Sequence, residues 1–247
     1  MELFDVLDEM DAAAATATAK NDSDAAAAGV QESADAIALN NVDIVTPTGV
    51  CLAQGINLNI ARGHSLMVTG QNATGKSSLF RVLSGLWPLR KGSLSVPRGQ
   101  IQLVPQRVYS VSGTLADQIT YPKHIEKMTA EDEAKLVAAL ESVALKYLPE
   151  QYGGWDANVA WEDSLSLGEQ QRIGVARVMY HKPAFVVLDE CTDAVSSNDE
   201  VKLYEAMHSV GVTAITISKR LALEDFHDQN LTLGEDTAVG WSLKGTQ

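Results

Sequence analysis

The sequence lacks features that define several classes of protein. Its 247 residues include only two cysteines, Cys51 and Cys191, which excludes a disulfide-stabilised scaffold. No apolar run approaches the roughly 18–20 residues that cross a bilayer as a helix. The first eleven residues are acidic, whereas leader peptides carry basic and apolar residues there. We therefore expect a chain that is neither secreted nor membrane-spanning.

An excess of basic residues is also missing. The 32 acidic residues outnumber the 19 basic ones and give a formal net charge of −13. Residues 1–40 hold nine acidic residues and one basic residue, Lys20, and so carry −8 of that charge. Because nucleic-acid binding needs a basic face that neutralises phosphates, the composition argues against nucleic acid as the main partner. It favours a solvated acidic surface.

Composition divides the chain into three parts. Residues 12–40 contain 13 alanines and too few large apolar side chains to offset their ordering entropy, so we expect a disordered, acidic linker. The folded domain is predicted over residues 41–245, where strand-like runs alternate with helix-like segments, which is typical of an α/β domain. A short amphipathic helix is predicted over residues 1–11, whose apolar side chains at near-helical spacing are Leu3, Phe4, Val6, Leu7 and Met10.

The pattern of apolar residues and turn residues locates the elements of the domain. Strands are predicted over residues 42–46, 65–68, 101–104, 184–188 and 213–217. Helices are predicted over residues 77–86, 130–148, 168–180 and 201–208.

A phosphate-binding loop is predicted between the second strand and the first helix of the domain. Residues 70–77 match the pattern G-x-x-x-x-G-K-[ST] at every fixed position and lie between a strand and a helix, as that motif requires. Backbone N–H groups and the helix start favour phosphate, Lys76 reaches the terminal phosphates, and the Ser77 hydroxyl can bind Mg²⁺. The predicted phosphate-binding residues here, which the family resemblance below assigns to ATP, are Gly70, Gln71, Asn72, Ala73, Thr74, Gly75, Lys76, Ser77 and Ser78.

Two carboxylates follow the apolar run at residues 185–188. The carboxyl edge of an open α/β sheet is where ligands bind, so Asp189 and Glu190 are expected beside the phosphate loop. Asp189 would hold Mg²⁺ or its water, and Glu190 would act as the general base on an attacking water. Together with the phosphate loop, the pair predicts hydrolysis of a nucleoside triphosphate.

A third motif points to a family. Residues 165–172 read Leu-Ser-Leu-Gly-Glu-Gln-Gln-Arg, Gln106 lies after the third predicted strand, and residues 193–196 read Asp-Ala-Val-Ser. With the phosphate loop and Asp189–Glu190, these resemble, in order, the motifs of the ATP-binding cassette (ABC) ATPase domain. The resemblance implies a P-loop NTPase fold of α/β class, with a helical subdomain at about 108–182 and a small antiparallel β subdomain. The resemblance also implies that Gln106 supports the metal ion and the attacking water.

Further segments resemble subfamily D of these transporters. They include Gly85-Leu86-Trp87-Pro88, Tyr121-Pro122 and Leu188–Thr192. That subfamily contains peroxisomal transporters of long-chain fatty acids and acyl-CoA, so the resemblance implies the cytosolic face of the peroxisomal membrane. Leu167 and residues 226–228 are more similar to bacterial and organellar relatives, which leaves other compartments open.

The resemblance also implies partners. Two such domains, identical or different, sandwich two ATP molecules, and Ser166 and Gly168 of one domain contact the γ-phosphate held by the other. Closure drives a transmembrane domain that this sequence lacks. Residues 1–11 look like the tail of that domain's last helix, so a fragment, a truncated gene model and a free subunit all remain open.

One position departs from the family pattern. The family carries a histidine after the strand at residues 213–217, where this chain has Lys219. A lysine offers charge to phosphate, but it cannot both donate and accept as a neutral histidine does. We expect normal ATP binding with slow hydrolysis; a tolerated substitution with Glu190 sufficient is the alternative.

Overall fold

The computed structural model describes residues 29–32, 35–97, 99–193, 195–235 and 237–245. The helix predicted over residues 1–11 and the larger part of the linker predicted over residues 12–40 lie outside these residues. Within these ranges, no helix combines the length and the apolar character needed to cross a membrane.

The described chain alternates between strands and helices from its start to its end. In chain order the elements are β1 (Gly29–Glu32), β2 (Ala36–Val45), β3 (Cys51–Ala61), β4 (Leu66–Gly70), α1 (Lys76–Leu83), β5 (Ser93–Val96), β6 (Ile101–Val104), α2 (Leu115–Thr120), α3 (Ala130–Ser142), α4 (Leu148–Tyr152), α5 (Trp161–Ser164), α6 (Leu167–His181), β7 (Phe185–Asp189), α7 (Ser197–Ser209), β8 (Thr213–Ile217), a 3₁₀ helix (Leu221–Phe226), β9 (Gln229–Leu233) and β10 (Trp241–Gly245).

A six-stranded sheet forms the centre of the domain. Its order is β10-β9-β4-β8-β7-β6, and all neighbours are parallel except β10, which pairs antiparallel with β9. Every residue of β7 and β8 is buried, as expected for parallel strands that are covered on both faces. The carboxyl ends of β4, β7 and β8 therefore meet at one edge, which is where the phosphate loop, Asp189 and Glu190 lie.

The second sheet corrects the predicted start of the domain. It has the order β1-β5-β2-β3 and is antiparallel except for the β1–β5 pair. Residues 29–32 and 36–40, which we had assigned to the disordered linker, lie in strands of this sheet. The alanine-rich composition hid an alternating pattern, because Ile37 and Leu39 are both 1% exposed and pack into the core between β3 and β5.

Five helices lie between β6 and β7. Three of them, α2, α3 and α6, begin with a capping box, in which a Thr or Ser and an acidic residue three positions later satisfy the first N–H groups. The helix predicted over residues 130–148 ends earlier in the structure: α3 ends at Ser142, Ala144 turns with a φ of 56°, and α4 begins only at Leu148, with Pro149 in its first turn. One apolar core joins these helices to the central sheet, and a second joins α1 to the four-stranded sheet. Fold and subdomains thus agree with the predicted ABC-type α/β class.

Candidate active site

The loop at residues 70–75 turns sharply between β4 and α1. Gly70 has a φ of 139°, and a Cβ there would lie 2.3 Å from the Leu233 carbonyl oxygen, so only glycine fits. Gly75 (φ 107°) precedes the helix. Ala73 also adopts a left-handed conformation, with a φ of 63°. The exposed residues of the predicted set are Gln71, Asn72, Ala73 and Ser77.

Lys76 folds back into this loop. Its Nζ donates to the carbonyl oxygens of Gly70 and Gln71, at 2.8 Å each. The side chain is buried, and burial lowers the pKa of Lys76, partly opposed by the negative charge of Glu190. The ammonium therefore lies at the helix start, within the loop that is expected to surround a phosphate.

Asp189 ends β7 at the same edge of the sheet. Burial, reinforced by the neighbouring charge of Glu190, raises the pKa of Asp189 to about 6, although Arg81 and Lys76 act in the opposite direction. A buried carboxylate whose charge is only partly offset favours a cation beside it.

The three predicted catalytic residues meet at Glu190. Gln106 donates through Nε2 to the Glu190 carboxylate at 3.2 Å. Lys219 contacts both carboxylate oxygens, at 3.1 Å and 3.2 Å. Glu190 itself has a φ of 45°, a left-handed conformation that is uncommon outside glycine. The chain thus places a carboxylate, an amide and an ammonium side by side at the mouth of the phosphate loop.

The predicted metal ligands are chemically suited to Mg²⁺. Asp189, the hydroxyl of Ser77 at the start of α1 and the side-chain oxygen of Gln106 are hard oxygen donors of the kind this ion prefers. The raised pKa of Asp189 fits the same role, because a divalent cation would stabilise its ionised form.

Ser166 and Gly168 lie at the other predicted site, the start of α6. Ser166 caps the helix: its hydroxyl donates to Glu169 Oε2 at 2.6 Å and accepts from the Glu169 N–H. Tyr147 donates to the second oxygen of the same carboxylate. No hydrogen bond or ion pair between described residues joins Ser166 or Gly168 to the phosphate loop. Their contact with nucleotide across a dimer stays a prediction.

Sequence reasoning missed three residues that contribute to this edge. Gly234, in the turn after β9, lies against the phosphate loop, since a Cβ there would be 2.2 Å from Cγ2 of Thr74. Arg220 and the buried Glu200 hold the segment that follows Glu190. A glycine after a strand signals a turn, but nothing local in the sequence indicates that these residues reach the site.

These features define a nucleotide-binding ATPase domain, and comparison with known proteins gives its family. The family model described as "ABC transporter" matches residues 53–193. The chain therefore belongs to the ABC transporter family, and it is an ABC ATPase domain.

The most similar relatives include members of subfamily D. The chain is 44% identical over 222 residues to "ABC transporter D family member 1" of Arabidopsis thaliana, which covers 85% of this chain and 16% of that protein. It is 43% identical over 198 residues to "ATP-binding cassette sub-family D member 3" of Homo sapiens, covering 79% of this chain and 30% of that protein. The chain thus spans less than a third of the length of either relative.

A solved structure has the same fold. It is described as a bacterial Atm1-family ABC exporter with ATP bound, and it matches with a TM-score of 0.71 at 22% identity, over 84% of this chain and 39% of that one.

Proposed function

We propose that this chain binds and hydrolyses ATP as the nucleotide-binding domain of an ABC transporter. The observation that carries the proposal is the meeting of Lys76, Asp189, Glu190, Gln106 and Lys219 at the carboxyl edge of one parallel sheet. The charges and hydrogen-bonding groups that phosphoryl transfer needs are present there, and the family membership supports the same reaction.

Each residue of the site has a separate role in the proposed reaction. Backbone N–H groups of residues 70–76 and the Lys76 ammonium bind and orient the phosphates once the ammonium leaves the Gly70 and Gln71 carbonyls. Asp189, Ser77 and Gln106 would hold Mg²⁺, which when bound would supply positive charge to offset that of the transferring phosphoryl group. Glu190 accepts a proton from the attacking water, which requires its ion pair with Lys219 to open.

We further propose that hydrolysis powers transport of long-chain fatty acids or acyl-CoA across an organellar membrane. Similarity to subfamily D members supports this substrate class. The chain would act with a transmembrane domain at the cytosolic face of the peroxisomal or another organellar membrane. It would form a homo- or heterodimer in which Ser166 and Gly168 contact nucleotide held by the second domain.

One observation favours a second function, that of a hydrolytically weak regulatory subunit paired with a competent partner. Lys219 binds both oxygens of Glu190. Both carboxylate oxygens then face the ammonium, which competes with an attacking water for them until it moves.

Steady-state Mg-ATP hydrolysis by the purified chain and its Lys219→His variant separates the two functions. Because histidine removes the permanent ammonium from Glu190, we expect turnover to rise by about tenfold or more. The exposed Lys127 supplies a matched control, Lys127→His, which should leave turnover unchanged.

The wild-type rate decides between the functions. A wild-type chain that is almost inactive, with a faster Lys219→His variant, supports the regulatory subunit. Equal rates that rise steeply with protein concentration support a self-sufficient ATPase in which Lys219 is tolerated. Failure of the wild-type chain to bind ATP contradicts both.

A further inference from the structure

One guanidinium holds the segment that follows Glu190. Arg220, next to Lys219 in the segment that follows β8, donates through Nη2 to the Asp193 carbonyl oxygen at 2.8 Å. Its Nη1 donates to the Val195 carbonyl oxygen at 3.3 Å. The planar guanidinium carries five N–H donors on three nitrogens and so spans both carbonyls and a third group, whereas an ammonium carries its three donors on a single nitrogen.

The same guanidinium is fixed by a buried carboxylate. Glu200, in the first turn of α7, is 2% exposed, and its Oε2 lies 2.7 Å from Nη1 of Arg220. The Thr192 hydroxyl donates to the other carboxylate oxygen. The side chain of Thr192 and the carbonyls of Asp193 and Val195 are thus tied to one ion pair, in which the buried Glu200 carboxylate depends on the part-exposed Arg220 guanidinium to offset its charge.

This anchoring begins two positions after a strained residue. Glu190 is left-handed, with a φ of 45°, and such a conformation persists only where the surroundings impose it. Before the strained residue, the anchor is β7, extended by the hydrogen bond from the Glu190 N–H to the Ile217 carbonyl oxygen at 2.9 Å. After it, the anchor is the segment held by Arg220.

We propose that Arg220 is a positioning residue for Glu190. With Glu200 it fixes Thr192, Asp193 and Val195, which keeps the Glu190 carboxylate between Gln106 and Lys219 at the mouth of the phosphate loop. Arg220 itself touches no nucleotide in this role. The inference rests on the proposed function, since it takes Glu190 as the general base.

The test compares the wild-type chain with Arg220→Lys, Glu190→Gln and the double variant. Arg220→Lys keeps the positive charge but loses the separate guanidinium nitrogens that donate to the Asp193 and Val195 carbonyl oxygens. We expect kcat to fall about tenfold to hundredfold, because small displacements of a catalytic group cost that much. The Kd for ATP, measured by nucleotide titration, should stay within twofold. The exposed Arg90 provides the matched control, Arg90→Lys, with wild-type values for both.

The double variant separates positioning from general damage to the fold. If Arg220 acts through Glu190, Arg220→Lys adds no further loss to Glu190→Gln. An unchanged kcat in Arg220→Lys, or a further loss in the double variant, overturns the inference and leaves the proposed function standing. Full activity in Glu190→Gln overturns both. Should Arg220→Lys unfold, Glu200→Gln decides, with kcat expected to fall while the Kd for ATP is retained.

Discussion

At the scale of single residues, Asp189 carries a charge that the fold without nucleotide stabilises poorly. Its pKa is raised from 3.8 to about 6. The folded chain therefore keeps this proton to a higher pH than the unfolded chain does. As pH rises from about 4 to about 6, ionisation of Asp189 costs folding free energy, and above pH 6 the full cost remains.

Asp189→Asn should accordingly stabilise the nucleotide-free chain at pH 7.5. The expected gain in unfolding free energy is about 1–2 kcal/mol, after allowance for water at this edge. It should shrink as pH falls through 6 and disappear near pH 4. Urea unfolding of both proteins at pH 7.5 and pH 4.5 measures this gain in unfolding free energy.

Asp132→Asn is a control whose expected effect on the unfolding free energy has the opposite sign. The capping box with Thr129 lowers the pKa of Asp132, so its ionised form stabilises the fold and the substitution should destabilise the chain at pH 7.5. An equal effect of the two substitutions at both pH values would contradict the assignment of Asp189.

At the scale of elements, the turn between β9 and β10 supports the phosphate loop. Gly234 has a φ of 78°, and its missing Cβ leaves the space that Thr74 occupies. Thr74 in turn donates to the Gln71 carbonyl oxygen at 2.9 Å. A side chain at residue 234 would therefore displace the middle of the loop.

Gly234→Ala should weaken ATP binding by about tenfold. Gly211→Ala is the matched control, because Gly211 has the same φ of 78° but nothing within 4 Å of an added Cβ. Both variants lose about 1 kcal/mol of stability to backbone strain. Nucleotide titration distinguishes them, and an equal Kd in the two variants would show that the turn does not shape the loop.

The elements also show what the sequence could and could not predict. The phosphate loop and the placement of Asp189 were predictable, because a strand, a turn and a helix follow local rules. The strand at residues 36–40 was missed because its stability comes from β3 and β5, which are distant in sequence. The ion pair between Lys219 and Glu190 joins residues 29 positions apart, and only the register of β7 against β8 brings them together.

At the scale of the whole molecule, the two halves of the proposed nucleotide site belong to different elements of the chain. Lys76 belongs to the loop after β4, and Ser166 caps α6 with Glu169 as its partner. The proposed dimer would combine the loop of one domain with the helix start of the other, in a symmetric, isologous arrangement.

Mixing two inactive variants tests this arrangement. Lys76→Ala and Ser166→Ala should each lose hydrolysis in isolation. An equal mixture should recover about a quarter of the wild-type rate, since half of the dimers are mixed and each mixed dimer has one intact site. Each variant assayed alone, where every dimer contains two copies of the same variant, is the control. A mixture with no more activity than its components would mean that Ser166 does not act in trans.

The two cysteine thiols differ in solvent exposure, and thiol labelling can detect the difference. Cys191, directly after Glu190, is 1% exposed, and burial raises the pKa of its thiol, whereas Cys51 is exposed. Because only an exposed thiolate reacts with an alkylating reagent, Cys191 is labelled only while the segment beside Glu190 swings open. The labelling rate of Cys191, compared with that of Cys51 in the same sample, therefore measures how often this edge opens in the native protein.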